Sequence, residues 1–237
     1  VLTHSFEVMS TQVTQKMWLD LMGKKYSHFH LNGGDYPMEN VNWWSVVEYA
    51  NRLSLQKGLE PAYDLSSVKF KVGTDAETGG LLAESGDIKI RAPEGNIYLA
   101  AGYRLPTEAE AEYLLRAAGK NNGDYHFGDA VADLKNYAWY DPNSRWLTNL
   151  VAELKPLIID GKDFYDLHGN VKEWTHDWHG QLRGGENPQG PASGFWRVVR
   201  GGGWSSNEVD LRSAWRGVYS PGDKDGTLGF RLVRTLK

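Results

Sequence analysis

The sequence predicts an α+β fold, and three observations predict it. Apolar residues recur at helical spacing only in the first half of the 237 residues. After Asn121 that periodicity stops, and short apolar runs alternate with Gly, Pro, Asn and Asp. Ten Trp, twelve Tyr and 41% hydrophobic residues supply a core that a disordered chain lacks. Helices first and irregular β structure later fit α+β rather than alternating βαβ units. No internal repeat or linker-like run divides the chain, so one domain over residues 1–237 is expected.

Phe6 to Gly23 runs from strand-like alternation into a helix that Thr14 caps and Gly23 ends. A second helix follows Asn42, since Val46, Tyr49, Ala50 and Leu53 fall on one helical face and Gly58 terminates the run. Val72 to Gly95 contains GTDAETGG and an alternating DIKIR, which reads as a hairpin or surface insertion and is expected to be mobile. Tyr103 to Gly119 gives the third helix. Thr107 and Glu110 form its capping box, Ala111, Leu114, Leu115 and Ala118 its apolar stripe, and Gly119 its C-cap. Further on, loops stapled by aromatic side chains are expected. Trp18, Trp43, Trp44, Trp139, Trp174, Trp178 and Trp196 read mainly as core that stands in for missing regular elements, not as a sugar cage.

Composition removes several function classes. A net charge of −4 without a Lys/Arg cluster argues against nucleic acid, which needs a concentrated basic face. No apolar run approaches the length of a membrane-spanning helix. The sequence begins at Val1, which leaves room for a signal or lipid anchor upstream. With no cysteine there is no disulfide, thiolate metal site or cysteine nucleophile. No GxSxG elbow suggests a serine triad.

Two segments carry most of the functional signal. RVVRGGGW (Arg197 to Trp204) and GFRLVR (Gly229 to Arg234) bracket a stretch of small, polar, charged and aromatic residues. Gly201 to Gly203 permit close backbone approach, and Arg200, Arg212, Arg216 and Arg231 can each present several planar donors to loop carbonyls. The triple glycine lacks the Lys-Ser/Thr of a phosphate loop, so a structural role outweighs an anion site. The second segment is DLHGNVKEWTHDWH (Asp166 to His179), where Asp166 and Glu173 supply hard oxygens and a turn at Gly169 can aim carbonyls inward, as calcium requires. A turn held by carboxylate-to-backbone hydrogen bonds explains the same residues equally well. His168, His176 and His179 invite zinc or iron, with Asp177 or Glu173 completing the set, but the surrounding sequence is not helical and surface histidines are the simpler reading. His28 and His30 lack a third ligand nearby.

Seven segments, in order, resemble one family. VTQKMWLDLMG, YPMENVNWWSVVEYANRLS, YRLPTEAEAEYLLRAAG, YDLHGNVKEWTHDW, NPQGPASG, RVVRGGGW and GFRLVR are similar to the formylglycine-generating-enzyme-like domain, a large variant of the C-type lectin fold. The resemblance implies calcium at Asp166, Gly169, Val171 and Glu173, the middle two through their carbonyls. It also implies two catalytic cysteines after the Gly-Gly motif, where this chain has SSNEVDLRSAWR and Ser206 stands nearest the first. A serine hydroxyl cannot replace a thiolate as a copper(I) ligand, so the oxidase activity is not expected.

Residues 204–231 further resemble the variable region of diversity-generating-retroelement proteins, treponemal surface lipoproteins among them. That likeness implies a scaffold of Gly202, Trp204, Arg212, Arg216, Pro221 and Arg231. Between these it implies contact positions at Ser205, Ser206, Asp210, Trp215, Val218, Tyr219, Asp223, Asp225 and Thr227. The expected protein is a monomeric, non-enzymatic binder of variable protein or cell-surface ligands, located at a bacterial surface or secreted. Two other readings compete: a cysteine-free relative doing metal-dependent oxidation at a histidine or carboxylate site, and a structural module of a surface assembly.

Overall fold

The computed structural model describes residues 1–24, 27–29, 34–72 and 81–236. Strand β1 (Phe6–Val8) pairs antiparallel with the last strand of the chain, Val233–Thr235. Helix α1 (Gln15–Met22) starts at Thr14, whose hydroxyl accepts from the Met17 N–H at 3.2 Å, and ends at Gly23 with φ 76°. Helix α2 (Trp43–Gln56) is capped by Asn42, which accepts from the Ser45 N–H at 2.9 Å. It buries Val46, Tyr49 and Ala50, as their spacing predicts.

Residues 63–90, which begin before the expected insertion, form β2 (Tyr63–Asp64), β3 (Lys69–Val72), β4 (Leu81–Ser85) and β5 (Lys89–Ile90), with β3 antiparallel to β4 and β2 antiparallel to β5. The expected hairpin is therefore present, and its GTDAETGG turn lies outside the described residues. Helix α3 (Glu108–Leu115) carries the full capping box, but it stops before Ala118 and Gly119 is not its C-cap. Ala117 and Ala118 take left-handed φ values of 52° and 56°. The last carbonyls find other partners: Leu115 accepts from the Ser213 hydroxyl at 2.8 Å and Arg116 from the Asn121 N–H at 3.0 Å. A tertiary donor thus replaces the next helical turn.

Among the described residues no α-helix follows Leu115. Strand β6 (Ala138–Trp139) runs parallel to β9 (His168–Gly169), and β7 (Leu157–Ile159) with β8 (Lys162–Phe164) makes a hairpin. The largest sheet comprises β10 (Lys172–Trp178), β11 (Arg197–Arg200), β12 (Gly217–Tyr219) and β13 (Leu228–Gly229) in the order β12-β11-β10-β13. Only its β10–β13 pair is parallel. The final strand, β14 (Val233–Thr235), closes onto β1.

The core joins α1 and α2 to this sheet. Trp18 stacks on Tyr49 with centroids 5.3 Å apart, and Phe230 presents its edge to both. Trp18, Trp43 and Trp174 are wholly buried, as the structural reading of the tryptophans requires. Trp196 departs from it and is half exposed. Arg197 lies between the Trp43 and Trp178 rings, 3.7 and 3.5 Å from their centroids, so the aromatic faces supply much of its surroundings.

Candidate ligand-binding face

The chain from Arg200 to Arg231 is held by side chains that donate to backbone. Arg200 is buried and donates to the carbonyls of Ser213, Ala214 and Trp215 at 2.8, 3.3 and 2.6 Å, while it faces Glu108 and Glu112 at 3.5 and 3.0 Å. Arg216 binds both carboxylate oxygens of Glu108, at 2.5 and 2.8 Å, and the Gly180 carbonyl at 3.1 Å. Such planar, multidentate contacts fix loop geometry without regular structure. Pro221 is buried, and its carbonyl accepts from the N–H of Trp43, the first residue of α2, at 3.0 Å. Gly202 has φ 69°, and a Cβ there would lie 2.9 Å from the Leu211 side chain and 3.0 Å from the Asp210 carbonyl. Only glycine fits that backbone.

Trp204 anchors the surface side. Its Nε1–H donates to the Gly226 carbonyl at 2.7 Å, and its ring meets Phe29 and Trp146 edge-on at 5.6 and 6.3 Å. Arg212 is the exposed member of the expected scaffold and also bonds the Tyr125 side chain. It makes a 3.2 Å pair with Asp124 in which both side chains are well exposed, and an exposed pair contributes little.

The nine expected contact positions divide by burial. Ser206 is only 4% exposed, accepts from the Gly203 N–H at 3.1 Å, and lies beneath the surface instead of on it. Trp215 and Tyr219 are half-buried and pack on the main core. Trp215 lies across Gly217, where a Cβ would approach its ring to 2.4 Å, and Tyr219 sets its ring against Trp174 at 6.1 Å. These two aromatics are thus partly structural. Val218 on the sheet-edge strand β12 and Asp223 in the following turn are exposed, while Ser205, Asp210, Asp225 and Thr227 are half-buried. Asp225 accepts from the N–H and hydroxyl of Thr227, both at 2.6 Å, and Asp223 accepts from the Ser220 N–H at 2.8 Å.

A continuous polar link joins the strands under this face. Lys172 Nζ donates to the Thr227 and Tyr219 hydroxyls at 3.1 and 3.3 Å and lies over the Tyr219 ring. Lys172, Phe29 and Trp146 were not legible as site residues, since each comes from a segment distant in sequence. Trp146 is 66% exposed and, like Arg145 before it, has left-handed φ.

Of the histidines expected at the surface, His179 is exposed, whereas His168 and His176 lie inward. His168 is buried, its Nδ1–H donates to the Leu211 carbonyl at 2.6 Å, and its Nε2 accepts from the His126 N–H at 3.2 Å. Burial pushes its pKa down to about 3 and that of His126, stacked on it at 5.1 Å, to about 4. His176 is half-buried with its ring beside Tyr63 and Trp43, and desolvation there holds it well below the usual imidazole range. Among the described residues, no three His, Asp or Glu side chains are grouped to hold a metal. His30 lies outside those residues.

The turn from Asp166 to Glu173 does converge on one point, but not with both carboxylates. Asp166 directs its Oδ2 to the Ala152 N–H at 2.9 Å and also bonds the Asn170 side chain, and it gives the point its backbone carbonyl. The point itself holds the Gln12 amide nitrogen, which lies 3.2, 3.3 and 2.9 Å from the carbonyls of Asp166, Gly169 and Val171 and 3.0 Å from Glu173 Oε1. Arg231 completes the cluster, binding both Glu173 oxygens at 2.8 Å and the carbonyls of Tyr165, Asp166 and Met9 at 2.8, 3.2 and 3.2 Å.

Comparison with known proteins places this geometry. The sulfatase-modifying factor enzyme 1-like domain matches residues 1–236. The structure of Treponema denticola variable protein 1 superposes with a TM-score of 0.78 and 33% identity, covering 99% of this chain and 86% of that one. Chaperone protein LppX of Paenibacillus barcinonensis is 30% identical across 97% of this chain and 80% of its own length. The formylglycine-generating enzyme of Streptomyces coelicolor is 32% identical over 56% of this chain, which spans 47% of the enzyme. The α+β class and the family resemblance both hold.

Proposed function

The chain belongs to the sulfatase-modifying factor enzyme 1-like domain family, and on that premise we propose that it is a non-enzymatic binding protein. Its contact face comprises Ser205, Val218, Tyr219, Asp223 and Thr227, and its target is a protein or cell-surface ligand. One observation carries the reading. The backbone of the stretch is fixed by Arg200, Arg216 and Arg231, whose acceptors are loop carbonyls and acidic side chains of α3 and β10. Exposed side chains in the stretch are therefore free to differ at low folding cost, since exposed substitutions away from special features cost about 0.5 kcal/mol or less. The likeness to Treponema denticola variable protein 1 supports the same reading. Half-buried aromatics beside adaptable polar groups suit protein recognition.

Enzymatic relatives favour a second reading, metal-dependent oxidation, but the absence of any cysteine removes thiolate chemistry. Stoichiometric iron or copper in the purified protein would favour that reading. No described helix is long and apolar enough to cross a membrane. A surface or secreted location accords with the binding reading.

The test is to sequence the gene across many isolates of its source. Substitutions are expected to concentrate at the exposed Val218 and Asp223, to be fewer at the half-buried Ser205, Tyr219 and Thr227, and to spare Arg200, Gly202, Arg216, Pro221 and Arg231. A nearby reverse transcriptase with an imperfect copy of this segment would strengthen the result. An even spread of substitutions across residues 204–231 overturns the proposal.

A further inference from the structure

The oxygens that the family resemblance assigns to calcium converge here on an amide nitrogen. Gln12 is wholly buried, and its Nε2 lies 2.9–3.3 Å from three carbonyls of the turn and from Glu173 Oε1. Those are N–H···O distances, whereas calcium holds six to eight oxygens at about 2.3–2.6 Å. The orientation of the amide follows from the same geometry. With the carboxamide reversed, Oε1 would face four oxygens with no proton between them. In the observed orientation Oε1 is buried without a partner, so the four inward contacts outweigh the unmet acceptor.

Charge agrees with distance. A divalent ion at this point balances an anionic cup, yet Asp166 turns its carboxylate to Ala152. Glu173 is already neutralised by a guanidinium that binds both its oxygens and two further carbonyls of the region. A cation would have to displace the amide and sit beside Arg231. The residues present do not fit calcium.

We propose that the Gln12 carboxamide, with Arg231 beside it, is a built-in replacement for a divalent cation. The turn it closes supports both ends of the contact stretch. Gly169 N–H donates to Gly201, Trp204 N–H to Asn170, and Lys172 N–H to Thr227, at 2.8, 2.8 and 2.7 Å. The contact face is consequently assembled without calcium. The inference stands independently of what the face binds.

Calcium titration by calorimetry and thermal melting in EDTA or millimolar calcium test it. The wild type is expected to show no stoichiometric calcium isotherm and the same Tm in both conditions. Gln12→Glu puts a carboxylate among four oxygens, and its Tm in EDTA should fall by roughly 5–10 °C and recover in calcium. A 1:1 isotherm with a calcium-raised Tm in the wild type overturns the proposal, since it means that the amide turns aside and a cation enters. If Gln12→Glu does not fold, Gln12→Met decides: a lowered Tm in EDTA supports the proposal, and an unchanged Tm overturns it.

Discussion

The helical region and the contact stretch reach order by different physics. Around α1 and α2, Trp18, Tyr49 and Phe230 fill space with rings, and each helix is started by a cap within its own sequence. From Arg200 to Arg231 the same task falls to guanidinium groups that gather carbonyls and carboxylates from far along the chain. In the first region the side chains are the structure. In the second, a few buried cations hold the backbone, and the outward side chains do little to hold it. A surface that changes its side chains needs the second arrangement.

The largest effect should come from removing one of those cations. Arg200→Met leaves Glu108, Glu112 and three carbonyls short of a donor in a buried place, and about 3–5 kcal/mol of stability should be lost in chemical denaturation. A loss below 1 kcal/mol would break the contrast, because packing would then hold both regions.

Acid should act next, and on the polar region. His126 titrates near 4 in the fold because burial penalises its charged form, against about 6.5 when exposed. Between those values the unfolded chain binds more protons, so this group stabilises the fold above pH 6.5 and its contribution is lost as pH falls toward 4. Both ring nitrogens lack partners, so His126→Phe breaks no side-chain hydrogen bond. Wild type should lose about 3 kcal/mol relative to that variant between pH 7 and 4. Comparing the two proteins cancels Asp177, which burial raises to about 6 and which acts in the opposite sense. Parallel pH profiles would refute the assignment.

The smallest effects sharpen the division within the face. Trp215→Ala should cost about 2 kcal/mol because the ring covers Gly217 and packs on the core. Val218→Thr should stay within about 0.5 kcal/mol at a side chain 40% exposed. Equal costs would mean that the strand edge is also structural.

Much of the first region was legible because its signals are local. Thr14, Asn42 and the Thr107/Glu110 pair cap their helices from within four residues. The end of α3 was not legible, since the donor that ends it, Ser213, lies 98 residues from Leu115. The family motifs marked Arg216 and Arg231 as scaffold, but not Gln12, whose partners begin 154 residues away. Arg212 shows the limit of reading residue type alone. The same guanidinium that is buried against three loop carbonyls at Arg200 is exposed beside Asp124 at Arg212, and only surroundings distinguish them.

The pairing of β1 with β14 sets the timing of assembly. Met9 and Arg231, joined through a carbonyl and a guanidinium, are 222 residues apart, and Glu173 receives its cation from the same late arginine. During synthesis the Gln12 cluster stays incomplete until Arg231 has left the ribosome, when residues 1–230 are already available to collapse. Contacts of such long sequence separation form slowly. Until Arg231 is in place, Glu173 lacks its counter-charge and the contact stretch lacks one of its supports.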